Sequence, residues 1–120
     1  MEKECKTEVL KTAWKKFIAI SPEGEFHFSR GLFREEGLDP STHCYLAYSA
    51  SHRAVLFCFT RSRLASGALP VYHRKPRGSL LKAREFFQHF ELCPRAHQGL
   101  YPVKKAQIDG VQWHAIFLKN

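Results

Sequence analysis

The chain has 120 residues, 44% of them hydrophobic and 25% charged, with a formal net charge of +8. That length and balance describe one globular domain and exclude a disordered chain. The longest apolar runs, Phe17 to Ile20 and Ala54 to Phe59, fall far short of the ~20 residues that span a bilayer, which excludes a membrane-crossing helix.

The opening Met-Glu-Lys-Glu-Cys-Lys is polar and has no apolar segment behind it, so a cytoplasmic location is expected. From Thr7, a helix cap, the apolar Val9, Leu10, Ala13, Trp14 and Phe17 recur as one helical stripe, which predicts an N-terminal helix over 1–16. Phe17-Ile-Ala-Ile then reads as a strand, Ser21-Pro-Glu-Gly24 as a turn, and Phe26-His-Phe28 as a second strand. Ser29 caps a short helix around Leu32 and Phe33 that Gly37 ends. Two further strands follow, His43 to Tyr48 and Arg53 to Thr60.

After a connector over 61–70 the same order recurs. Val71 to Arg74 and Ser79 to Leu81 are strands, Ala83, Phe86, Phe87 and Phe90 a helical stripe, and Leu100 to Gln107 and Val111 to Leu118 strands around Asp109-Gly110. One longer helix from Ser79 to Phe90 is the alternative. Setting Gly24 on Gly78 brings Leu32-Phe33 onto Phe86-Phe87, Leu38 onto Leu92 and Pro40 onto Pro94, all at an offset of 54. The expected fold is therefore α+β and mostly β: two tandem ββαββ units, 17–60 and 71–120, closing into a compact pseudo-two-fold barrel within a single domain.

Gly24, Phe26, Phe28, Leu32, Gly37 and Leu38 form a strand, a turn glycine, a strand and a short helix ending in Gly-Leu. This resembles the swapped-hairpin DNA-binding domains of the AbrB, MazE and SpoVT group, and a tandem pair resembles the two-unit MraZ type. The resemblance implies DNA contact through Arg34, whose counterpart in the second unit is Gln88. Where the family usually carries a basic residue after the turn glycine, this chain has Glu25 and Ser79.

Charge is distributed unevenly. From Pro40 to Arg84 there is no Asp or Glu, and Arg53, Arg61, Arg63, Arg74, Lys75, Arg77, Lys82 and Arg84 supply eight positive charges. The remainder balances 11 basic against 11 acidic residues, so the whole net charge sits in this block. An acid-free block meets anions at a definite place. Arg61, Arg63, Arg74, Lys75, Arg77, Lys82 and Arg84, with Arg34, are the expected nucleic-acid contacts, and a turn bearing Arg74, Lys75 and Arg77 suits phosphates or a groove. DNA is expected ahead of RNA, although Tyr45, Tyr48 and Tyr72 keep base stacking open.

No histidine has a carboxylate or cysteine partner at catalytic spacing, and Cys5, Cys44, Cys58 and Cys93 form no Cys-x-x-Cys pair. A non-catalytic regulatory protein without metal or cofactor is expected. The alternative is a protein-binding module, such as an antitoxin or an inhibitor of a nucleic-acid enzyme, docking on an acidic partner. A homodimer also stays open.

Overall fold

The computed structural model describes residues 16–61, 67–74 and 78–119. The expected N-terminal helix up to residue 15, and Arg63, Lys75 and Arg77, lie outside the described residues. In chain order the elements are β1 (Phe17–Ile20), β2 (Glu25–Phe28), α1 (Arg30–Glu36), β3 (His43–Ser49), β4 (Ala54–Thr60), β5 (Leu69–Pro70), β6 (Tyr72–Arg74), β7 (Gly78–Lys82), α2 (Arg84–His89), β8 (Gly99–Pro102), β9 (Lys104–Ile108) and β10 (Val111–Phe117). Strands therefore dominate, and Ser79 to Phe90 is a strand followed by a helix.

The strands form two five-stranded sheets, ordered β6-β7-β2-β1-β8 and β5-β3-β4-β10-β9. All described pairings are antiparallel. This corrects the expected barrel, because β6 and β8 end the first sheet and β5 and β9 the second, leaving it unclosed. Two short Pro-Val steps carry the chain between sheets. At Pro70-Val71 it passes from β5 to β6, and at Pro102-Val103 from β8 to β9. The expected single strand from Leu100 to Gln107 is thus divided. Proline cannot donate to a ladder and suits the strand end, while the Val103 N–H turns to the Lys16 carbonyl (3.2 Å).

Alternation at period two builds the core. Ile18, Ile20, Phe26 and Phe28 of the first sheet are buried, as are Cys44, Val55, Phe57 and Ile116 of the second. The phenylalanines join the sheets: Phe57 meets Phe26 edge-on with centroids 4.9 Å apart, and Phe28 lies 5.4 Å from Phe59. Leu32 of α1 and Phe87 of α2 complete this cluster.

The Ser29 hydroxyl accepts from the N–H groups of Leu32 and Phe17 (3.3 and 3.0 Å), so it caps α1 and fixes the helix to β1. Gly37 ends α1 at φ 60°. Ion pairs tie the last turn of α1 outward: Glu35 sits 2.7 Å from Lys16 and 2.8 Å from Lys105. The buried His114 ring nitrogen lies 3.2 Å from a Glu36 oxygen without hydrogen-bond geometry.

Candidate functional site

The alternation that sends Phe26 and Phe28 inward turns Ala19 and His27 to the opposite face of the first sheet. There, with α1 and the segment after it, they border a cleft of about 790 Å³. Its apolar lining comes from Phe17, Ala19, Phe28, Phe33 and Leu38, and its polar lining includes His27, Arg30, Arg34, Asp39 and His73. Arg30 and Arg34 are exposed and four residues apart on α1, hence neighbours on one side of the helix.

Several of the polar groups are already engaged. Asp39 accepts from the Ser41 N–H (2.8 Å) and hydroxyl, and Arg61 approaches it at 3.6 Å. The Ser41 hydrogen bonds first, then the Arg61 charge, hold the Asp39 carboxyl below the usual carboxylate range. His27 Nε2 meets a Glu25 oxygen at 3.1 Å. His73 Nδ1 pairs with the Ser79 hydroxyl at 3.1 Å, while its Nε2 is buried without a hydrogen-bond partner. The His73 ring stands edge-on to Phe33, centroids 5.2 Å apart. Around an apolar floor, the described rim carries the guanidinium groups of Arg30 and Arg34, and Asp39, the one carboxylate among its described residues, is paired with Arg61.

The expected contact residues separate into three groups. Arg34 lies at the cleft, and Arg74 pairs across the β6–β7 ladder with Gly78, another residue of the lining. Lys82 and Arg84 stand at the other end of β7, about 13 Å along a strand from Gly78. Both are exposed, with the Lys82 ammonium 5.1 Å from the centre of the Tyr72 ring. Arg61 donates to the Gly37 carbonyl at the end of α1 and pairs with Asp39. Tyr48 packs on Phe90, with centroids 5.3 Å apart.

Arg30, His27 and His73 line one cleft although no local sequence motif links them. A signal for Arg30 was available, since the offset of 54 sets it on Arg84, the first residue of α2. The histidines gave none, because strand alternation shows that His27 faces away from the core but not that α1 stands beside it.

Among the described residues no group of three or more His, Cys, Asp or Glu is placed to hold a metal ion, and no described helix is long and apolar enough to cross a membrane. No family model matches the chain, nor does any curated protein or solved structure.

Proposed function

We propose that this chain is a non-catalytic, cytoplasmic regulatory protein that binds nucleic acid, duplex DNA ahead of RNA. The observation that carries the reading is the cationic rim: Arg30 and Arg34 stand on one side of α1 at a cleft that Gly78, the ladder partner of Arg74, also lines. Guanidinium pairs at helical spacing suit successive phosphates, which position a protein on a duplex.

The resemblance to two-unit swapped-hairpin domains supports the same reading. Gly24 and Gly78 share positive φ (84° and 92°), as do Gly37 and Glu91 (60° and 55°). Leu38 N–H bonds to Phe33 O as Leu92 N–H does to Phe87 O, and Thr42 to Asp39 as Ala96 does to Cys93. All these pairs keep the offset of 54. We read them as two copies of one unit, each opening its helix with an arginine, Arg30 and Arg84.

The test is titration of random duplex DNA at two salt concentrations. Affinity should fall by about two to three decades between 50 and 200 mM salt if about five phosphates are neutralised. Reversing Arg30 and Arg34 to Glu should abolish binding, and neutralising them to Gln should flatten the salt slope by about two. Absence of binding at low salt overturns the proposal.

A second reading, a protein-binding module, rests on the outer face of the second sheet. The alternation that buries His114 and Ile116 turns Val111, Trp113 and Phe117 outward; Val111, Phe117 and the neighbouring Ile108 are 47%, 46% and 42% exposed. A stoichiometric complex that survives nuclease and is lost with Phe117→Asp would favour it.

A further inference from the structure

We infer that the cleft beside α1 is a binding site for a small aromatic anion, its charged group held at Arg30 and Arg34 and its ring body seated on the apolar floor. This goes beyond duplex binding, because a duplex is too broad to enter and would meet only the rim.

The volume of about 790 Å³ falls within the roughly 300–1,000 Å³ of small-molecule sites, which are mostly apolar with a few directed polar groups. The lining divides in that way. Phe17 and Phe33, both only partly buried, offer ring surface, and Ala19 leaves room between the strands and the helix. The ligand's charge follows from which groups are committed. Ser29 is occupied by two backbone N–H groups, Asp39 by Ser41 and Arg61, and His27 Nε2 by Glu25. Arg30 is exposed and pairs with no carboxylate among the described residues, and Arg34, one turn away, adds a second guanidinium that already has a contact of its own. A cationic mouth beside a neutralised carboxylate selects an anion.

The polar end is also defined on the strand side. His73, with Nδ1 against Ser79, keeps a buried Nε2 without a hydrogen-bond partner. A ligand ring or carbonyl placed against Phe33 would bring a hydrogen-bonding atom to that side of the cleft. An anionic group, a flat apolar body and a polar ring edge are together the chemistry of a nucleotide or an aryl carboxylate. A nucleotide has two sources, a free mononucleotide or the unpaired phosphorylated end of a strand.

The full chain is titrated with the fluorescent aryl sulfonate 1-anilinonaphthalene-8-sulfonate, and the bound dye is then competed with AMP, adenosine, inorganic phosphate and a 5′-phosphorylated single-stranded oligonucleotide. The expected result is saturable binding displaced by AMP much better than by adenosine or phosphate alone. Arg30→Gln with Arg34→Gln should weaken AMP by roughly tenfold or more. Ala19→Trp should block the dye by filling the floor, whereas Phe117→Ser on the other sheet should leave it bound. Displacement by the oligonucleotide identifies a strand end as the source, and displacement by AMP alone a free mononucleotide.

Equal affinity for AMP and adenosine, no effect of the arginine pair, or dye lost only with Phe117→Ser overturns the inference, as does no displacement by AMP at about 1 mM. Duplex titration of the Ala19→Trp variant separates the two readings. Unchanged duplex binding with a blocked cleft leaves the functional proposal standing, and a wild-type chain that binds AMP but no duplex at low salt removes that proposal alone.

Discussion

Ser29 does two jobs through one oxygen, accepting from Leu32 at the start of α1 and from Phe17 in β1 while almost fully buried. Replacing it with alanine leaves two amide donors without that acceptor where water has little access. Ser29→Ala should therefore cost about 1–3 kcal/mol by urea denaturation, and Ser29→Thr should recover most of the loss. Glu35 gives a residue-scale prediction in pH. Its carboxyl is lowered from the usual 4.5 to about 2, first by the hydrogen bond from Lys105 and then by that from Lys16. A depressed carboxylate pKa contributes stability that is present above the ordinary value and disappears as pH falls from near 4.5 through about 2. Glu35→Gln should flatten the pH dependence of the unfolding midpoint in that window by lowering the neutral-pH value, only slightly because the pair is solvent-screened, and leaving the acid value unchanged. A wild-type acid limb unchanged by the substitution would assign that limb to other groups.

At the scale of elements, what could be read from the chain depended on whether a local signal was obligatory. Asp109-Gly110 adopts positive φ at both residues (52° and 79°), as a two-residue hairpin demands, and the sequence states it openly. Gly37 likewise announces the end of α1. Its counterpart in α2 was illegible, because Glu91 adopts the same left-handed conformation (φ 55°) with a side chain that normally avoids it. That residue carries a cost which glycine would remove. Glu91→Gly should raise stability by about 0.5–1 kcal/mol, measured by thermal or urea unfolding. Gly37→Ala should lower it by about 1 kcal/mol, and part of that loss should be relieved by Arg61→Ala, since a Cβ at residue 37 would lie 3.0 Å from the Arg61 guanidinium. Additive losses in the double variant would show that only the backbone angle matters there.

Across the whole molecule, the β-rich class was legible from alternation, but the assignment of strands to sheets was not. Leu100, Tyr101 and Pro102 alternate exposed, buried, exposed whichever strand they pair with, and nothing in that pattern names β1 as the partner. The cleft was hidden for the same reason: His27, Arg30 and His73 meet only once sheet order is known. What holds the two sheets together is the phenylalanine cluster, and this can be tested by comparing two residues of one type. Phe57 is fully buried, edge-on to Phe26 at 4.9 Å and 6.0 Å from Phe28, so its truncation opens a cavity between the sheets. Phe57→Ala should cost about 3–5 kcal/mol, a large part of the roughly 5–15 kcal/mol that stabilises a domain. Phe57→Leu should cost less because it refills much of the space. Phe117 is 46% exposed on the outer face, so Phe117→Ala should shift stability by only about 0.5 kcal/mol. Urea midpoints for the three variants decide the matter: similar losses at 57 and 117 would mean that the outer face is covered in solution, turning the exposed patch into part of an interface.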